Sequence, residues 1–465
     1  MTGREIFLAQ LRRLAAPRPA WVPFTGVHAA QLIGVDAQSY LQSAEHIVAG
    51  LCAARVAYRP DALPVVFDLQ LEAEALGCPV AWAERAPPSV TGHPLSEPGA
   101  ALPAFDLGAG RIPLVLEATR RMREQCTDQT GLFGLVCGPF TLAMHLMGTG
   151  MFLAMYDDPD RVQQVVVHAA AVAARTAEAY LAAGCDAIAV VDPMLSQIAP
   201  ETAAEFARPH LETVYAEVHA AGAPVALFVC GDATANLDVL CAGACDALSV
   251  DENVDLAAAA AVCARHDTAL GGNLGLTRPL LTGDPAACQR DALRCLDAGG
   301  DRGFILAPGC DLPYATQPAN IAAVAAIVHD PYQRAAARAA AVPASVASVA
   351  IDLPDYAAAP AVVVDVLTLD SATCPPCRYM VDAVDAAIGV GGIPVQRHER
   401  KLVSPEGPGW MQALGVERVP SICIDGRPVF ASRIPDRPTL VAALVEAARA
   451  KGLEALCAPE CQNDA

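Results

Sequence analysis

No stretch of this 465-residue chain runs for the roughly 18 uninterrupted apolar residues of a membrane helix, because charged or polar residues break every candidate; no span is predicted. The amino end, Met1 to Arg13, lacks the apolar core and small-residue cleavage site of a signal peptide and reads as an amphipathic helix. Basic charge is scarce. Against 51 Asp and Glu stand 31 Lys and Arg, a formal charge of −20, which repels phosphate backbones and anionic lipid, so neither nucleic acid nor a membrane is an expected partner. No Gly-x-Gly-x-x-Gly loop follows an apolar run, which removes the dinucleotide-binding form of an open sheet. Cytoplasm is the expected compartment, and because its thiols stay reduced, the 17 cysteines are not expected to form a disulfide framework.

What is present is a 54% hydrophobic fraction, inflated by alanine, in a chain too long for one core. From Trp21 to about Asp330, eight short apolar runs alternate with helical stretches: Trp21 to Thr25, Ala62 to Phe67, Gly131 to Val136, Ala187 to Val191, Val225 to Val229, Ala247 to Val250, Thr268 to Gly271 and Gly303 to Ala307. Eight strand-helix units predict an α/β fold, a (β/α)8 TIM barrel over residues 1–330, with an open doubly wound sheet as the alternative. Asp158-Pro159 and Asp284-Pro285 place an N-cap before a first-turn proline, which marks two of the helix starts. Residues 331–360 are rich in Ala and Pro and read as a linker with a helix over Arg334 to Ala341.

Residues 361–450 read as a second, small α/β domain: strand Val362 to Leu369, a Cys374-Pro-Pro-Cys377 loop, helix, strand Pro394 to His398, helix, strand Ser421 to Ile424, strand Pro428 to Phe430 and a helix from Thr439. This order is thioredoxin-like. A Cys-x-x-Cys that opens a helix puts its first thiolate at the positive end of the helix dipole, so Cys374 is the expected attacking thiol and Cys377 the resolving one. Pro420 stands where such domains hold a cis proline beside the dithiol. A zinc reading of Cys374 and Cys377 needs two more ligands, which Cys457 and Cys461 in the tail, residues 451–465, could supply. Of the remaining cysteines, Cys52, Cys185, Cys245, Cys263, Cys288 and Cys295 lie in apolar surroundings and read as packing.

In a parallel barrel the residues just after the strands face the mouth, where the chemistry sits. Here these are His28, Asp68, Cys137, Asp192, Cys230, Asp251, Glu252, Asn273 and Cys310, a set rich in metal ligands and acid–base groups. Each has a plainer alternative: Asp68 or Asp192 as a helix cap, Asn273 as part of a turn, His28 as a hydrogen-bonded, half-buried side chain. Cys230 and Cys310, arriving from strands eighty residues apart, suggest a thiolate pair for a soft metal or a redox pair.

Seven segments carry a resemblance across nearly the whole first domain: Thr25 to Ala30, Phe67 to Leu69 with Glu72 to Gly77, Gly138 to Ala143, Cys230 to Asp232, Ser249 to Glu252, Gly271 to Asn273 and Ala307 to Asp311. They resemble the uroporphyrinogen decarboxylase superfamily, and within it the cobalamin-dependent methyltransferases of the methylcobalamin:coenzyme M type. The decarboxylase branch is disfavoured because its Arg-Gln-Ala-Gly-Arg stretch has no counterpart near Trp21 to Leu32. The resemblance implies methyl transfer from methylcobalamin, free or on a corrinoid protein, to a small-molecule acceptor such as a thiol. It also implies a zinc held by a His-x-Cys pair after the fifth strand and a Cys after the eighth. Cys230 and Cys310 match the two cysteines, but the histidine position is Phe228.

Two thiolates fall short of the three protein ligands usual at a catalytic zinc, so Cys137 or Glu252 is the expected third ligand. The alternatives are a metal-free site and a Cys230–Cys310 disulfide reduced by the second domain. Asp192, Asp251 and Glu252 are expected to orient the acceptor or corrinoid, and His28, Asp68 and Asn273 to contact the substrate. The competing functional readings are a non-catalytic corrinoid-binding or thiol-redox module and, third, a decarboxylase.

Overall fold

The computed structural model describes residues 1–97, 99–339, 351–372, 374–391, 393–404, 406–416 and 418–453; the linker residues 340–350 and the tail pair Cys457 and Cys461 lie outside the described residues. Two compact units divide the chain, Met1–Ala344 and Ser345–Ala465.

In the first unit the apolar runs form an eight-stranded parallel sheet: β1 (Ala20–Trp21), β2 (Ala62–Pro64), β3 (Gly131–Cys137), β4 (Ala187–Val191), β5 (Val225–Val229), β6 (Ala247–Val250), β7 (Ala269–Leu274) and β8 (Phe304–Pro308). Sequence neighbours pair from β2 round to β8, and β8 pairs with β1. At the remaining seam Asp61 N–H donates to the Trp21 carbonyl at 2.8 Å, and Trp21 N–H donates to the Asp61 carboxylate at 2.7 Å. The result is a nearly closed barrel of the TIM type. β1 and β2 are shorter than expected, whereas β7 runs on to Leu274, so Asn273 lies inside a strand and not beyond its end. A two-stranded hairpin, Val80–Ala83 with Ala86–Val90, interrupts the regular alternation after β2.

The amino-terminal helix, Gly3–Leu11, starts on a capping box of Thr2 and Glu5. Its apolar face closes one end of the barrel: Phe7 lies 6.0 Å from Phe133, and Gln10 Oε1 accepts from Gly303 and Phe304 N–H at 2.6 and 3.1 Å. Phe24, Phe67 and Phe228 pack inside the strands, with Phe228 ring centroids 5.1 Å from Phe24 and 5.8 Å from Phe67. A small apolar cavity of about 40 Å³ remains beside these rings. Helix Pro159–Ala182 is long and apolar enough to cross a membrane, and its buried face, Val162 through Tyr180, packs in this unit.

Helix Pro331–Ala339 was expected inside the linker, yet Arg334 Nε donates to the Ile327 carbonyl at 2.9 Å and Arg338 pairs with Asp297, so it belongs to the first unit. In the second unit β9 (Val362–Thr368), β10 (Val395–Lys401), β11 (Ser421–Ile424) and β12 (Arg427–Ala431) form one sheet in the order β10-β9-β11-β12. β10 runs parallel to β9, and the other pairs are antiparallel. Val364, Met380, Val384, Ile422 and Leu440 form its core. Cys374 and Cys377 are joined by a disulfide at the start of helix Pro375–Gly391, and the Val419-Pro420 peptide is cis.

Candidate active site at the barrel mouth

Cys230 follows β5 and Cys310 lies two residues beyond β8, and their Sγ atoms are 3.0 Å apart. Two glycines permit this approach. Gly231 holds the left-handed φ of +87° that turns the chain directly after Cys230. A Cβ on Gly309 would lie 2.5 Å from Glu252 N, so only glycine lets the β8 loop pack against the end of β6.

Carboxylates surround the pair. Cys310 Sγ lies 3.4 Å from Asp311 Oδ1, and burial pushes the Asp311 carboxyl up to about 6. Asp251 accepts from Asn253 N and Nδ2 at 2.9 and 2.5 Å, and burial raises its pKa. The Glu252 carboxylate turns away, accepting from Leu276 N–H and lying 3.4 Å from Thr277 Oγ1, and both burial and the neighbouring Asp251 raise its pKa. The two thiols stay protonated: for Cys230 the Cys310 hydrogen bond lowers the pKa, but burial together with the neighbouring Asp251 and Asp311 charges raises it on balance, while for Cys310 the Cys230 hydrogen bond and burial both raise it.

The other expected site residues are occupied elsewhere. Asp192, expected to orient a ligand, is fully buried and caps helix Pro139–Met147 by accepting from Phe140 N, Thr141 N and Thr141 Oγ1 at 3.0, 2.9 and 2.5 Å. Gly138 leaves room for it, since a Cβ there would come within 2.3 Å of the carboxylate. Asn273, expected to contact substrate, spends its amide on the Asp251 and Val254 carbonyls at 3.0 and 2.7 Å and so ties down the β6 loop. His28 is fully buried and not half-buried: Nε2 lies 2.7 Å from Tyr58 Oη, and burial holds its pKa down at about 4. Asp68 pairs with Arg111 at 2.5 Å and accepts from Gln70 N–H at 2.9 Å. The six cysteines read as packing are buried, Cys52 partly so.

Cys137 and Glu252 do not complete a metal site. Cys137 is buried at the end of β3 with its N–H on Glu72 Oε1 at 3.3 Å, and the Glu252 carboxylate is committed to the β7 loop. Among the described residues no three His, Cys, Asp or Glu side chains are grouped as a metal ion requires. At the histidine position Phe228 is 2% exposed among aromatic rings. The residues present therefore do not fit the expected zinc, and no chemistry is routed through it.

Three participants were not singled out by sequence reading. Asp311 sits one residue beyond Cys310, inside a segment that carried the resemblance. Glu72 was visible in the same way but has no strand-end position. Arg111 opens helix Ile112–Cys126, bridges Asp68 and Glu74 and stacks 4.8 Å over Trp82 of the hairpin; nothing in the alternation of strands and helices points to it.

Fold and site together define a parallel (β/α)8 barrel whose mouth is built from paired thiols and buried carboxylates. Residues 2–331 match the uroporphyrinogen decarboxylase (URO-D) family, and the chain belongs to that family. A methylcobamide:CoM methyltransferase MtaA of Methanosarcina barkeri strain Fusaro is 31% identical over 272 residues, 57% of this chain and 78% of its own length. A methylcobamide:CoM methyltransferase MtbA of Methanosarcina acetivorans is 28% identical over 266 residues, 56% of this chain and 77% of its own. A solved methyltransferase from Methanosarcina mazei superposes with a TM-score of 0.66 at 26% identity, covering 71% of this chain and 99% of that one.

Proposed function

We propose that the barrel is a methyltransferase that moves a methyl group from a methylcobamide, free or carried by a corrinoid protein, to a thiol acceptor bound at the mouth. The observation that carries this reading is the meeting of Cys230 and Cys310 at the mouth of a barrel whose relatives are methylcobamide:CoM methyltransferases. The methyl group on cobalt is the electrophile that the corrinoid substrate brings. Cys230 and Cys310 line the acceptor's place and offer S–H groups to its sulfur. Asp311, beside Cys310 and with a pKa of about 6, takes the acceptor's proton, so that a sulfur otherwise neutral near pH 7 becomes nucleophilic. The apolar floor of Phe24, Phe67 and Phe228 keeps water from the reacting atoms.

In this reading the second unit is a thioredoxin-like dithiol domain with Cys374 attacking and Cys377 resolving. Its support is the strand order and a disulfide at a helix start, where Cys377 N–H points at Cys374 Sγ over 3.4 Å. Reduction of a small aromatic disulfide, lost in Cys374→Ser, tests that assignment.

Methyl transfer from methylcobalamin to a panel of small thiols, followed by the loss of the methylcobalamin spectrum, tests the main reading. Turnover that falls at least about 100-fold in Asp311→Asn supports it. Binding of the corrinoid without turnover on any thiol favours the non-catalytic module, for which Phe228 in place of a ligand is the supporting observation.

A further inference from the structure

The Cys230 and Cys310 sulfurs sit at a distance that suits one chemistry better than another. Zn–S bonds of about 2.3 Å in a tetrahedron hold two thiolates about 3.8 Å apart, and a disulfide holds them at about 2.05 Å. At 3.0 Å the pair already lies inside the metal-bridged separation. Metal binding would require the sulfurs to part and a third ligand to move in: Phe228 has no donor, Cys137 is buried at the end of β3, the Glu252 carboxylate is committed to Leu276 N–H, and although Asp311 Oδ1 lies 3.4 Å from Cys310 Sγ, among the described residues no three such side chains are grouped as a metal ion requires. Oxidation requires only that the sulfurs close by about 1 Å. Gly309, which brings the β8 loop against Glu252, and Gly231, which turns the β5 loop, supply this proximity. The two thiols also differ in access, Cys310 being partly exposed and Cys230 buried, the arrangement of an attacking and a resolving sulfur.

We propose that Cys230 and Cys310 form a reversible dithiol–disulfide couple at the barrel mouth, exchanging with disulfides of the glutathione or protein-dithiol class. In the oxidising direction Asp311, 3.4 Å from Cys310 Sγ, takes the Cys310 proton, and the thiolate attacks a disulfide R–S–S–R, forming Cys310–S–S–R and releasing one thiolate, which takes up that proton from Asp311. Cys230 Sγ then attacks Cys310 Sγ and expels the second thiolate, which takes the Cys230 proton. One S–S bond breaks and one forms. The two barrel thiols are oxidised and the two R–S groups are reduced. The chain carries one disulfide of this class itself, between Cys374 and Cys377. Resting on the methyl-transfer reading is one consequence only: with both sulfurs tied together no S–H remains to meet the acceptor, and turnover stops.

The test uses the full-length chain, equilibrated with graded ratios of glutathione to glutathione disulfide, alkylated, digested and mapped by mass spectrometry. The expected result is a Cys230–Cys310 cross-linked peptide with a single midpoint, erased by dithiothreitol and retained in the Cys374→Ser/Cys377→Ser double variant. Cys230→Ser should stop at a glutathione adduct on Cys310. The couple is overturned if both sulfurs alkylate separately at every ratio, or if metal analysis finds one zinc per chain protecting them. Neither readout involves methyl transfer, so failure of the couple and failure of the transfer reading are distinguishable.

Discussion

At the scale of single residues, burial decides what each titratable group can do. Among the described residues Glu72 Oε2 has no hydrogen-bond partner, and burial pushes its carboxyl from an ordinary 4.5 up to about 8. The native state therefore keeps a proton that the unfolded chain releases above about pH 4.5, and stability falls as pH rises, the loss being complete above about pH 8. His28 and His145, held neutral with pKa values near 4, act in the opposite direction, their contribution growing as pH rises from about 4 through the ordinary imidazole value of 6.5. Because Glu252 is likewise raised to about 8, the Glu72 contribution is read by difference: in chemical denaturation between pH 6.5 and 8, Glu72→Gln should remove from the parent's pH dependence a slope of up to about 1.4 kcal/mol per pH unit. A variant as pH-dependent as the parent would show that the group is already ionised. Phe228→Ala should cost about 3 to 5 kcal/mol in the same measurement, because the ring is enclosed by Phe24 and Phe67. Residue type alone did not separate Asp311 from Asp192. Asp192 is buried and Asp311 half-buried, both carboxyls are raised to about 6, and only the fold reveals that one faces Cys310 while the other caps a helix.

At the scale of elements, the sequence pattern located all eight barrel strands, because buried parallel strands read as short, uninterrupted apolar runs. Three of its boundaries failed for identifiable reasons. β2 stops at Pro64, a residue with no N–H for the ladder, and β1 gives way to extended chain of which only Val22 still bonds β8. β7 continues through Gly271 and Gly272, which a propensity argument takes for a turn. That continuation is why Asn273 was read as a mouth residue. For Asp192 capping was legible but the helix was not: a cap of the following helix was the plainer reading, whereas the carboxylate joins the end of β4 to the helix that follows β3, fifty-one residues away. Asp192→Ala should cost about 1 to 3 kcal/mol, with helical content reduced in circular dichroism. Gly309→Ala should leave the barrel folded yet displace the β8 loop, and the yield of the Cys230–Cys310 cross-link at a fixed glutathione ratio should drop several-fold.

For the whole molecule, each unit has a core of its own, with Val364, Met380 and Leu440 serving the second and the barrel interior serving the first. A chain ending at Ala344 should therefore keep a cooperative thermal transition and, on the methyl-transfer reading, its turnover. Loss of that transition would mean that the barrel depends on residues beyond 344. The barrel was legible because it rests on periodicity, and the meeting of Cys230 with Cys310 because each stands just after an apolar strand. The failure of the metal site was legible only in part: Phe228 was visible as a missing histidine, but the commitments of Cys137 and Glu252 needed three dimensions.

The helix Gly3–Leu11 and the phenylalanines above it seal one end of the barrel, leaving a well with a single opening. A blind well imposes a sequence of events. On the methyl-transfer reading, a small acceptor has to be seated before a bulky methyl carrier covers the rim, and the methylated product can leave only after the carrier has withdrawn. Initial-rate kinetics should accordingly be compulsory-order, with the acceptor first on and its product last off.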